Sequence, residues 1–189
     1  FIFPTNLNAE TISTDVTISA DTDPAGTSKT ITEDLTITSS GSLTCTKISN
    51  CIHFGDSGLT IDNQGTIKIN GSDKDNVIRA ANSSDDNSTV NNSGTIVTET
   101  GNNAIYYSAT DSGYIYNTGT ISATTKAYTI QTRDNTNFKI DNYGTITNSS
   151  SSGQTIYSQT VSDPDTGTII NNYAGGVISA PNNTSSDEK

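Results

Sequence analysis

Along the chain, β-branched apolar residues alternate with polar ones in short runs, and the runs break at an Asn-x-Gly step. Four segments share one frame: Ile61-Asp62-Asn63-Gln64-Gly65-Thr66-Ile67, Val90-Asn91-Asn92-Ser93-Gly94-Thr95-Ile96, Ile115-Tyr116-Asn117-Thr118-Gly119-Thr120-Ile121 and Ile140-Asp141-Asn142-Tyr143-Gly144-Thr145-Ile146. A looser copy, Ile37-Thr38-Ser39-Ser40-Gly41-Ser42-Leu43, precedes them, and a copy with two inserted residues follows from Ile170 to Ile178. The aligned glycines Gly41, Gly65, Gly94, Gly119, Gly144 and Gly176 lie 24, 29, 25, 25 and 32 residues apart. A second β-prone run precedes each motif, as in Cys51-Ile52-His53-Phe54, Asn76-Val77-Ile78-Arg79, Asn103-Ala104-Ile105-Tyr106, Ala127-Tyr128-Thr129-Ile130 and Gln154-Thr155-Ile156-Tyr157. Alternation with a period of two is the signature of a strand. Each repeat therefore predicts three short strands: this run, the residues entering the Asn, and the residues leaving the Gly.

The Asn-x-Gly step reads as a sharp bend. Asn tolerates left-handed backbone angles and Gly reaches positive φ without a Cβ clash. The Ile or Val before the step and the Ile after it share the inward face, and the intervening Thr points out. A hairpin uses the same turn residues, so the motif alone leaves the strand pairing open. Recurrence about every 25 residues decides it, because self-similarity at such a period marks a repeat architecture. The expected fold is all-β: a right-handed parallel β-helix, or β-solenoid, of about six or seven coils with three short strands per coil. At about 4.8 Å per coil the rod is roughly 30 Å long. Residues 1–34 form a first coil or a cap, with strands at Val16-Thr17-Ile18 and Thr30-Ile31-Thr32. Residues 35–180 form the repeats, and residues 181–189 a polar tail.

Composition removes the main competing fold classes. Only 30% of the residues are hydrophobic, while 33 threonines, 25 serines and 21 asparagines dominate. That supply is thin for a conventional core, yet disordered chains are poor in β-branched residues and this one is rich in them. A solenoid needs few apolar side chains per coil and draws its stability from stacking. The net charge of −11 argues against nucleic acid and against an anionic bilayer as partners. No apolar run is long enough to span a membrane. The chain contains no Met, and Phe1-Ile2-Phe3-Pro4 is too short for a signal peptide. A processed product, or a segment of a longer precursor, is the expectation.

The Ile-x-Asn-x-Gly-Thr-Ile repeat, preceded by runs such as Asn103-Ala104-Ile105-Tyr106, resembles the passenger domains of bacterial autotransporters and related β-helical surface proteins over about residues 35–180. The resemblance implies a right-handed β-helix at the bacterial cell surface. Members of that family include adhesins, aggregation factors, toxins and some hydrolases, so it implies no single activity.

Candidate chemistry is sparse. Cys45 and Cys51 lie six apart, without the spacing of a redox motif or a second pair for zinc. A disulfide-closed loop in an oxidising compartment is the expected role, contributing about 2 kcal/mol. His53 has no evident Ser–Asp partnership, and no nucleophile elbow, phosphate loop or zinc-protease motif occurs. No catalytic residue and no cofactor is assigned. Solenoid enzymes that act on polysaccharides carry clustered acids. The acid pairs here, Asp21 with Asp23, Asp73 with Asp75, Asp85 with Asp86, and Asp163 with Asp165, sit in turns at different phases of the repeat. Asp73, Asp75, Asp163 and Asp165 are weak calcium candidates.

Tyr106, Tyr107, Tyr114 and Tyr116 crowd one repeat, followed by Tyr128, Tyr143, Tyr157 and Tyr173. Outward rings at matching phase suit sugar or protein contact; cross-strand packing is the plainer reading. The column Thr66, Thr95, Thr120 and Thr145 raises ice binding, but the Thr-x-Thr pairing of a flat ice face does not recur. The apolar residues Phe1, Ile2 and Phe3 are candidates for assembly. The leading expectation is a non-enzymatic extracellular surface protein that binds a surface glycan or protein. A self-assembling filament or sheath subunit, with the chain itself as partner, is the alternative, and a polysaccharide lyase or hydrolase the third.

Overall fold

In the computed structural model the described residues are 10–12, 15–18, 28–46, 50–70, 76–81, 86–108, 112–124, 128–133, 137–159 and 167–180. They form a β-solenoid of three parallel sheets, and among them there is no helix. The first sheet stacks Glu10–Ile12, Leu35–Ile37, Thr60–Asn63, Ser88–Asn92, Gly113–Asn117, Phe138–Asn142 and Ile169–Asn172. The second stacks Asp15–Ile18, Ser42–Cys45, Thr66–Ile69, Thr95–Thr98, Thr120–Ala123, Thr145–Asn148 and Val177–Ser179. The third stacks Ser28–Ile31, Asn50–Phe54, Ile78–Ala80, Ile105–Ser108, Tyr128–Arg133 and Gln154–Gln159. Each coil crosses the sheets in that order, so every strand pairs with its equivalents in the coils before and after.

Registry makes the core columnar. Leu35, Ile61, Val90, Ile115 and Ile140 stand level in the first sheet, all buried. Leu43, Ile67, Ile96, Ile121 and Ile146 do so in the second. The third adds Ile52, Ile78, Ile105 and Ile130. Full burial of such a side chain stabilises by about 1.5–3 kcal/mol. One coil buries few of them, so stability is shared between stacked neighbours.

The Asn-x-Gly corner is held differently from the bend expected above. Among the described residues the glycines with positive φ are Gly58 and Gly175, and the positive-φ non-glycine residues are Asn87 and Asn137. None belongs to the Asn-x-Gly step of the four matching motifs. The step instead hydrogen bonds to the coil beneath. Both Thr118 N–H (2.8 Å) and Gly119 N–H (3.1 Å) donate to the Asn92 carbonyl, and Thr120 N–H donates to the Gly94 carbonyl at 2.8 Å. A Cβ on Gly119 would overlap that same Gly94 oxygen, and Gly65, Gly94 and Gly144 meet the equivalent carbonyl one coil below. The glycine is required by close approach of two backbones, not by its φ.

The motif asparagines turn inward and form a buried ladder. Asn63 Nδ2 donates to Asn92 Oδ1 at 2.7 Å, Asn92 to Asn117 at 2.8 Å, Asn117 to Asn142 at 2.7 Å and Asn142 to Asn172 at 2.7 Å. Each Nδ2 from Asn63 to Asn142 also reaches the glycine carbonyl two residues on. A second, shorter ladder runs Asn103 to Asn76 to Asn50 at the entry to the third sheet, at 2.7 and 2.9 Å. Buried amides are costly unless paired, and the coil period supplies the partner.

Below Asn63 the first ladder stops. Taken in the frame of the four motifs, Ile37 would stand level with Ile61. The register instead sets Leu35 level with Ile61, and Ile37 level with Asn63. The corner of the looser copy is therefore two residues longer, and an isoleucine fills the amide column. Asn63 Oδ1 consequently has no donor.

Cys45 and Cys51 form a disulfide with Cα atoms 5.6 Å apart, both buried, joining the end of a second-sheet strand to the start of the next third-sheet strand.

Candidate functional site

The outer face of the first sheet carries the richest group of side chains. Inward positions repeat Ile or Val, whereas the two outward rows change from coil to coil. One row reads Thr60, Thr89, Tyr114, Lys139, Ile169, and the other Asp62, Asn91, Tyr116, Asp141, Asn171. Tyr114 and Tyr116 flank the inward Ile115, so alternation alone sends both outward.

Asp141 is the hub. Its Oδ2 accepts from Tyr114 Oη and from Lys139 Nζ, each at 2.7 Å. Its Oδ1 accepts from Asn171 Nδ2 at 2.7 Å and from Tyr173 Oη at 3.4 Å. Burial acts to raise the Asp141 carboxyl, but the hydrogen bonds from Lys139, Asn171 and Tyr114 outweigh it and hold its pKa down to about 2. Burial, then the hydrogen bond to the carboxylate, push the Tyr114 phenol above the ordinary tyrosine value. The same carboxylate raises Lys139, whose ammonium also lies 5.4 Å from the Tyr114 ring centre. At neutral pH the cluster pairs an ionised Asp141 carboxylate with the Lys139 ammonium.

Beside the hub rises an aromatic ladder. Tyr143 and Tyr173 stack with centroids 4.3 Å apart and planes 2° from parallel, and Tyr116 meets Tyr143 at 5.6 Å. The three residues stay 37%, 42% and 39% exposed, so packing against one another leaves a continuous outer aromatic surface. Tyr128 and Tyr157 stack at 4.4 Å on the third sheet.

Tyr107 departs from the expected surface cluster. It is fully buried, its ring 4.7 Å from Phe138 and 6.3 Å from Phe54, and its hydroxyl donates to the Ser88 carbonyl at 3.2 Å. Two features make room for it. Ala80 and Thr132 are its small neighbours in register, and Gly113 opposite has no Cβ, which would come within 2.6 Å of Phe138 and 2.9 Å of Tyr107. The alternation Ile105 in, Tyr106 out, Tyr107 in was the available signal. Tyr106 is half-buried on the outer side of the third sheet, level with Arg79 and Gln131.

Other expected sites scatter. Asp21, Asp23, Asp73, Asp75, Asp85, Asp163 and Asp165, with Phe1, Ile2 and Phe3, lie outside the described residues. Among the described residues no group of three or more His, Cys, Asp or Glu is placed to hold a metal ion, and no helix is long and apolar enough to cross a membrane. His53 is half-buried on the third sheet, level with Arg79. Thr66, Thr95, Thr120 and Thr145 stand in register, but the neighbouring row reads Lys68, Val97, Ser122 and Thr147. A two-row threonine face is not formed.

Comparison with protein-family models, with curated proteins and with solved structures gives no match. The fold is that of a parallel β-solenoid, and the resemblance to autotransporter passengers rests on the repeat alone.

Proposed function

We propose that this chain is a non-enzymatic, adhesin-like rod of a bacterial cell surface, akin to autotransporter passengers, that binds a surface glycan or protein through the tyrosine face of its first sheet. The observation that carries this reading is the Tyr116–Tyr143–Tyr173 ladder, exposed and contiguous beside the Asp141 hub. Tyr offers a rigid apolar ring at low entropic cost and is enriched at recognition surfaces. The buried disulfide is compatible with an oxidising, extracellular setting. An Asp141 held at about 2 is ionised at neutral pH and unsuited to donating a proton, which counts against acid–base cleavage at this face.

The test uses the full chain immobilised on beads, probed with bacterial and host cells and with a glycan array. Replacing Tyr116, Tyr143 and Tyr173 together by serine is expected to abolish capture while circular dichroism keeps its β spectrum. Undiminished capture by the triple variant overturns the reading, as does a wild-type chain that captures nothing.

End-to-end assembly with a second copy is the alternative reading. It is favoured by Ile169, Ile170 and Val177, exposed by 57%, 42% and 47% on the last described coil. A coil stacked there would cover the Ile170 and Ile178 columns in the same parallel register. Sedimentation and electron microscopy at high concentration distinguish the two: filaments support assembly, and a concentration-independent monomer removes it.

A further inference from the structure

Next to the hub, at the point where the chain enters the first sheet, lies a groove of about 430 Å³ lined by Asn87, Ser112, Gly113, Tyr114, Asn137 and Lys139. The groove is shallow and open to solvent along its outer side. Asn87, Ser112 and Asn137 occupy one stacked position in three successive coils, immediately before Ser88, Gly113 and Phe138, which pair in register. Asn87 and Asn137 both have φ of 58°, and they are the positive-φ non-glycine residues of the described chain. The Ser112 hydroxyl donates to Asn87 Oδ1. The Asn137 side chain has no hydrogen-bond partner among the described residues and stays exposed at the groove.

We infer that this groove is a binding subsite for one ring of a neutral carbohydrate. Three features select that ligand class. Side-chain amides offer a donor and an acceptor side by side, which matches adjacent hydroxyl groups of a sugar. The Tyr114 ring supplies an apolar wall for the C–H face of a pyranose, and its hydroxyl is already committed to Asp141 at 2.7 Å. Lys139 is neutralised by Asp141 at 2.7 Å, so an anionic sugar gains little from its charge while a neutral one finds another polar donor. A peptide would favour a longer apolar trench or an open sheet edge, and this groove offers neither.

The inference deepens the adhesion reading and rests on it for its biological sense, but its test is separate. The full chain is titrated with methyl glucoside, methyl galactoside, methyl mannoside and N-acetylglucosamine, with glucuronate as the anionic comparison. The side-chain amide resonances of Asn87 and Asn137 report occupancy. At least one neutral sugar is expected to shift both.

Asn137→Gly keeps the left-handed backbone while removing the amide, and is expected to weaken binding by about 5- to 30-fold, the loss of one or two hydrogen bonds. Failure of every neutral sugar to shift these resonances overturns the inference, and so does binding of glucuronate alone or full binding by Asn137→Gly. The Tyr116, Tyr143 and Tyr173 serine variant separates this subsite from the adhesion reading. Sugar binding retained with cell capture lost supports both, whereas sugar binding with no cell capture by the wild type leaves the subsite and removes adhesion.

Discussion

Replacing Asn117 by alanine tests the claim that the amide ladder, more than a turn preference, explains the asparagine of the motif. Asn117 accepts from Asn92 at 2.8 Å and donates to Asn142 at 2.7 Å, and all three are buried. Alanine breaks both ladder bonds, at about 0.5–1.5 kcal/mol each, and leaves Asn142 Oδ1 buried without a donor, at about 1–3 kcal/mol. The expected loss is about 2–6 kcal/mol. Asn63 supplies the internal comparison, because its Oδ1 already lacks a donor. Asn63→Ala breaks one ladder bond and strands Asn92 Oδ1, but it also removes an acceptor that was itself unsatisfied. Its net cost is about 0.5–1.5 kcal/mol. Urea unfolding followed by far-ultraviolet circular dichroism gives the two values. Amide hydrogen exchange in the flanking coils guards against partial unfolding of the array. The reasoning is refuted if Asn63→Ala costs as much as Asn117→Ala, or if Asn117→Ala costs less than about 1 kcal/mol.

Further expectations follow from the same contacts. Gly119→Ala places a methyl group on the Gly94 carbonyl oxygen and is expected to cost about 3 kcal/mol or more. Gly58→Ala, at φ +72 in open space, costs only the backbone strain of about 1–2 kcal/mol, and melting temperatures rank the pair. Replacing Cys45 and Cys51 together by alanine removes a loop constraint worth about 2 kcal/mol, and alkylation of the unfolded wild type without reductant is expected to label no thiol. Asp141, held at about 2 against about 3.9 when unfolded, contributes stability that is full above about pH 4 and fades as pH falls through 2. Melting of the wild type and Asp141→Asn between pH 6 and 2 is expected to show a gap that narrows with acid; a constant gap contradicts the assignment.

The period of the repeat was legible because a solenoid imposes it on sequence. Each coil must return the same side chain to the same column, so Ile61, Val90, Ile115 and Ile140 recur in phase. The reason for the Asn-x-Gly step was less legible, since a tight turn and a close stack both favour glycine, and only the position of the next coil separates them. At Ile37 the sequence misleads, because a lengthened corner looks like a degraded motif when Gly41 is the anchor. Sequence proximity groups Tyr107 with Tyr106, Tyr114 and Tyr116, whereas its alternation with Ile105 puts it inside. The Asp141 hub is not legible in the sequence, because its partners Tyr114, Lys139, Asn171 and Tyr173 come from three successive coils and share no local pattern.

The contrast between inner columns and outer rows bears on what kind of ligand this face fits. An inward position is constrained by identical demands from the coils above and below, and it repeats. The outward row Asp62, Asn91, Tyr116, Asp141, Asn171 places unlike chemistry at every step. The aromatic ladder is oblique as well, since Tyr116 precedes its ladder asparagine while Tyr143 and Tyr173 follow theirs. A surface that met a periodic partner, such as a crystal face, would need one chemistry repeated at the coil spacing of about 4.8 Å. The threonine column comes nearest to that, and the mixed row beside it breaks the pattern. The tyrosines, the hub and the groove instead converge on the coils from Asn87 to Tyr173. Such local, non-repeating chemistry on a repeating scaffold suits a discrete ligand held at one height of the rod.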